Sequence, residues 1–126
     1  MRRHTVAMLS AVLLLALGGA ARADGDPAKG AKVFAKCKTC HEIDSDKNKV
    51  GPTLQGVIGR PAGAVPGFKY SEAMSASGVV WDAETIAAYT RQPKEFIPGN
   101  KMVFAGLKKD DEIEDLIAFI ESKCCS

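Results

Sequence analysis

The chain is poor in the residues that most often announce a chemistry. It has two histidines, His4 and His41, one tryptophan and two tyrosines, and aromatics make up 6% of its 126 residues. A chain this small with so few aromatics builds only a thin core from its own side chains. Internal repeats and low-complexity linkers are absent, and no stretch reads as a strand. One all-α domain is therefore expected, the length being too short for two. The first residues stand apart. Arg2 and Arg3 precede an apolar run from Met8 to Leu17, and Ala21-Arg22-Ala23 puts small residues where a signal peptidase reads. Residues 1–23 are expected to be a secretory signal peptide and 24–126 the domain, which places the protein in the periplasm. An uncleaved membrane anchor is the alternative, because Thr5 to Ala21 is nearly long enough to span. Gly18, Gly19 and the Ala-x-Ala site favour cleavage. No cysteine lies near that site to carry a lipoprotein's lipid.

Cleavage also removes any surplus of charge. The leader holds three of the 17 basic residues and none of the 15 acidic ones, so the mature chain has 14 against 15, a net charge of −1. Charge then gives no support to nucleic-acid binding. Its placement is uneven: lysines recur at Lys36, Lys38, Lys47, Lys49, Lys94, Lys101, Lys108 and Lys109, whereas Asp110 to Asp115 is almost wholly acidic. A dipolar surface of this kind suits transient docking.

Three segments read as helices. Asp26-Pro27 is an N-cap and first-turn pair opening a helix to about Lys36, with Gly30 and Phe34 on one face. Asp82 can cap a second, with Ile86 and Tyr89 inward, that must stop before Pro93. In the last, Ile113, Leu116, Ile117 and Ile120 stand at i, i+3, i+4 and i+7, with Phe119 widening the stripe. Its acidic start and Lys123 near its end suit the helix dipole. Between the helices, Gly51-Pro52, Gly56, Gly59, Pro61, Gly63, Pro66-Gly67 and later Pro98-Gly99 imply much irregular backbone for a compact domain. A large flat apolar body, wrapped by these loops, would supply both the missing core and the missing order.

Cys37-Lys38-Thr39-Cys40-His41 names that body. Two thiols at this spacing reach the two vinyl groups of a haem, and the adjacent imidazole meets the iron; C-x-x-C-H is the signature of covalent haem attachment. A thioredoxin-like pair would need a βαβ pattern that is absent. A zinc site would need two more ligands, and the mature chain has one histidine and only Cys124 and Cys125 besides, side by side at the extreme end. The sixth iron position decides between electron transfer and ligand chemistry. With no second histidine, methionine is the protein candidate, and Met74 and Met102 survive cleavage. Met74 sits in a short helix-like stretch, Ser71 to Met74, where methionine is usually core filler. Met102 follows the rigid turn Ile97-Pro98-Gly99-Asn100-Lys101 and is the favoured ligand, presented from the face opposite His41.

These residues, with Gly51-Pro52-Thr53-Leu54, Gly59-Arg60, Pro66-Gly67-Phe68-Lys69-Tyr70, Trp81, Tyr89, Pro93 and Ile97 through Gly106, resemble the class I (mitochondrial-type) cytochromes c in their small bacterial form. The resemblance covers Gly25 to about Ser122. It implies a compact fold in which the first and last helices cross, Gly30 and Phe34 packing on Leu116 and Phe119. It further implies that His41 is the proximal ligand, bonded to the Pro52 carbonyl, and Met102 the distal one. Arg60, Tyr70 and Trp81 would serve the haem propionates, Asn100 would contact the cofactor and Phe104 would shield its edge. Three departures stand out: Met74 where relatives commonly carry asparagine, Asn100 where threonine is frequent, and the Cys124-Cys125 tail. The implied function is one-electron transfer by a monomer, not an enzyme. It would carry charge from a membrane cytochrome bc-type complex to a terminal oxidase, or serve a periplasmic dehydrogenase. Lys36, Lys38, Lys49, Lys94, Lys101, Lys108 and Lys109 would steer it to acidic partners.

Overall fold

The computed structural model describes residues 25–124; the expected signal peptide and Cys125 lie outside the described residues, as does the side chain of Cys124. Among the described residues the regular elements are five helices: α1 Pro27–Lys38, α2 Glu72–Ser75, α3 Ala83–Arg91, α4 Pro93–Phe96 and α5 Asp110–Cys124. There is no strand among them, only an isolated antiparallel bridge between Pro61 and Val80. No described helix is long and apolar enough to cross a membrane.

α1 and α3 begin where their capping chemistry begins. The Asp26 carboxylate accepts the Ala28 N–H at 2.8 Å, and Pro27 pre-sets the first turn of α1. Asp82 and Thr85 cap α3 reciprocally, each side chain accepting the other's backbone N–H, at 2.8 and 2.9 Å. The last turn of α5 carries Lys123 against three acidic residues in its first. Two features differ from the sequence reading. α1 runs to Lys38, carrying Cys37 in its last turn, and Pro93, expected only as a stop, opens the single turn α4. Proline's fixed φ and missing donor suit a first turn as well as they forbid an interior one.

α1 and α5 cross closely because Gly30 has no side chain. A Cβ there would run into the Asp115 carbonyl and stand 2.7 Å from Phe119 Cβ. Beside this gap the rings of Phe34 and Phe119 lie 5.1 Å apart, and the Asp26 N–H donates to Asp115 Oδ1 at 2.8 Å. Ile113, Leu116, Ile117 and Ile120 bury their stripe against α1 and α3, in one core with Val33, Ile86 and Trp81. The irregular segment after α1 is tied by its own polar groups: buried Thr53 donates to Ser45 O at 2.5 Å, and its N–H goes to Asn48 Oδ1 at 3.0 Å.

Candidate haem-binding site

The attachment motif is the end of a helix. Cys37 is in the last turn of α1, and the backbone N–H groups of Cys40 and His41 both return to the Cys37 carbonyl, at 3.1 and 2.9 Å. Positions i, i+3 and i+4 of one turn share a face. Both thiols and the imidazole accordingly line the same open cleft. Neither thiol is in a disulfide. Burial pushes the Cys37 thiol up to about 11, with Lys36 opposing and Cys40 adding to the rise, so before attachment it is protonated at neutral pH.

The loop after His41 folds back beneath it. The Gly51 N–H donates to Cys40 O at 2.8 Å and Leu54 N–H to Glu42 O at 2.7 Å. This lays the Pro52 carbonyl 2.7 Å from His41 Nδ1. A carbonyl only accepts, so Nδ1 carries the proton and Nε2 keeps its lone pair. Burial lowers the His41 pKa from its ordinary value, Pro52 offsets part of the shift, and Arg60 and Lys49 add to it; the ring is neutral and fit to ligate. Gly51 permits the approach, because a Cβ there would lie 2.7 Å from Nδ1 and 2.8 Å from Nε2. Sequence reasoning gave Gly51 no role, and the Gly-Pro pair after a ligating histidine was the signal available.

Arg60 and Trp81 are brought together by backbone pairing: Gly59 N–H donates to Trp81 O at 2.6 Å, and Trp81 N–H to Arg60 O at 2.9 Å. Both line the cleft, as does Tyr70, whose hydroxyl accepts the Val65 N–H at 3.0 Å. That leaves the Tyr70 proton to donate. Arg60 spends its two terminal nitrogens on Gln55 O (3.1 Å) and Thr53 O (2.8 Å), but its Nε is buried without a partner among the described residues. An unpaired buried N–H is costly. A propionate brought by a haem would supply an acceptor, and the apolar walls formed by Leu54, Val57, Ile86 and Leu116 suit the ring. The residues present fit the group.

Met102 and Phe104 also line the cleft, and so does Met74 from α2. Asn100 does not: it is buried and donates both amide protons inside the chain, to Pro93 O at 2.7 Å and Ile97 O at 2.8 Å. Expected to offer the cofactor a donor, it has none left to give, because the turn closes around its side chain. Of the lysines, Lys36 and Lys101 line the cleft, while Lys94 and Lys108 line a neighbouring hollow shared with Phe104. Lys36 pairs with Glu112 (3.7 Å) and Lys49 with Glu42 (3.6 Å). Val103, 99% exposed, and Val50, 77% exposed, sit on the cleft's rim.

Comparisons with known proteins agree with this geometry. The family model described as Cytochrome c matches residues 27–123. The chain is 57% identical to cytochrome c type-1 of Ascaris suum over 80% of its length and 91% of that protein's. It is 44% identical to cytochrome c2 of Rhodomicrobium vannielii over 98% of both chains. Among solved structures, cytochrome cH from Methylobacterium extorquens superposes with a TM-score of 0.74 at 42% identity, covering 78% of this chain and 99% of that one. The chain belongs to the cytochrome c family, the haem electron carriers, with the class I fold, and holds one haem c covalently at Cys37 and Cys40.

Proposed function

We propose that the chain is a periplasmic one-electron shuttle whose iron is held between His41 and Met102. It would take electrons from a membrane cytochrome bc-type complex and pass them to a terminal oxidase or another acceptor. The observation that carries the reading is one apolar cleft walled by Cys37, Cys40 and His41, by Arg60, Tyr70 and Trp81, and by Met102 and Phe104. Bound there, the haem iron supplies the one-electron chemistry. The residues hold it in place: His41 offers Nε2 while Pro52 fixes the ring's tautomer, and Met102 offers its thioether, a ligand that raises the potential. Two protein ligands keep oxygen and peroxide from the iron. Arg60 neutralises a buried propionate, with Tyr70 and Trp81 beside it. The likeness to the Rhodomicrobium protein runs through nearly all of both chains, the leader residues included, which supports the secretory reading of 1–23.

Docking would use the cleft's edge. Lys36 and Lys101 at the rim, with Lys94 and Lys108 around Phe104, attract acidic surfaces, and Val50 and Val103 offer a small apolar contact that releases quickly. Stopped-flow oxidation of the reduced protein by a terminal oxidase that accepts electrons from c-type cytochromes, followed against ionic strength, tests this. The second-order rate should fall about tenfold or more between low and physiological salt. A flat response would remove the steering.

A further inference from the structure

From residue 101 to residue 106 the chain has no regular structure, and among the described residues one backbone amide in that stretch finds an acceptor. It is the N–H of Met102, and the acceptor is the side-chain oxygen of Asn100, 2.9 Å away. The same oxygen takes the Tyr89 hydroxyl at 3.2 Å. The amide's nitrogen holds the carbonyls of Pro93, which opens α4, and Ile97, which follows it. One buried side chain thus uses its whole hydrogen-bonding capacity, two protons given and two accepted, to join α3, α4 and the segment carrying Met102. Tyr89 is in turn packed on Trp81, ring centroids 5.1 Å apart, and on Phe96 at 6.4 Å.

We propose that Asn100 is the positioning residue of the Met102 side of the haem, a clamp that holds the thioether loop closed rather than a group that touches the cofactor. The proposal rests on the reading of Met102 as the distal ligand. Besides the packing of Met102 and Phe104 on the core and the Lys101 ammonium on the Lys69 carbonyl, this one bond is what anchors the stretch's backbone amides, and loop freedom is what a competing ligand exploits. Fully satisfied buried amides specify a single loop path, and removing one leaves several groups unpaired at once. The same oxygen also fixes where the Tyr89 proton points, toward the Asn100 side chain.

The test uses the haem-loaded ferric protein, read by its weak red sulfur-to-iron absorption band and by imidazole titration. In the wild type the band should be present and imidazole should bind weakly. In Asn100→Ala the band should weaken, and imidazole should bind at least about tenfold more tightly, while amide exchange in α5 stays unchanged. Imidazole affinity within twofold of wild type, with only the melting temperature lowered, would overturn the clamp and leave Asn100 a packing residue. A wild type without the band, binding imidazole as tightly as Met102→Ala, would instead remove the ligand reading and the clamp with it. Should Asn100→Ala fail to fold, wild-type amide exchange decides. The Met102 amide should exchange more slowly than those of Lys101 and Val103, and equal rates would overturn the proposal.

Discussion

At the scale of single residues, the histidine side of the cleft depends on an atom that is missing. Gly51 lies so close under His41 that a methyl group there would press on the imidazole ring itself, 2.7 Å from Nδ1, and on no flexible chain end that could turn away. Gly51→Ala should therefore lower the fraction of protein recovered with a His41-ligated haem, measured as Soret absorbance per chain; an unchanged fraction and spectrum would contradict the contact. Arg60 gives a second prediction. It is a cation beside the cleft, with one N–H left for a propionate, and oxidation adds a positive charge to the haem. Arg60→Leu should lower the reduction potential by on the order of tens of millivolts, since the oxidised form loses a like-charge neighbour. A higher potential would contradict that placement. The Cys-x-x-Cys-His motif was legible in the sequence because its spacing is itself the chemistry. The roles of Gly51 and Asn100 were not, because the first depends on how closely a loop returns and the second on which carbonyls its turn encloses.

Among the elements, the crossing of α1 and α5 is the joint on which the fold closes. Alanine in place of glycine inside a helix ordinarily gains about 1 kcal/mol. At Gly30 the added Cβ would strike the Asp115 backbone, which cannot rotate aside, and overpacking costs about 1–3 kcal/mol or more. Gly30→Ala should thus lower the melting temperature, and a rise would contradict the close approach. Periodicity, caps and charge made α1, α3 and α5 readable, since each carries its signals locally: Asp26-Pro27, Asp82, and the Ile113-to-Ile120 stripe. α4 escaped because Pro93 both ends one helix and begins the next. The two additional residues of α1 matter more than their number, for they put Cys37 on a helical turn and so set the direction of both thiols.

For the molecule as a whole, the loops before α2 and after α4 have no core of their own and gather around one cleft. The abundance of Gly and Pro foretold such loops, and the attachment motif foretold what they enclose. Which lysines face the cleft was not readable, since that depends on partners distant in sequence: Glu112 for Lys36, and the Lys69 carbonyl and Phe68 ring for Lys101. Exposed ion pairs of this kind are worth little in stability, so the surface charge remains available for steering. As proposed, Met102 closes the iron's sixth position and makes the protein a carrier. The most direct test of this closure is the visible spectrum of the purified haem-loaded protein, oxidised and reduced, with carbon monoxide added to the reduced form. The oxidised spectrum should show the sulfur-to-iron band, and carbon monoxide should leave the reduced spectrum unchanged. A missing band with ready carbon monoxide binding would contradict the closure and leave an open site suited to ligand binding or peroxide chemistry.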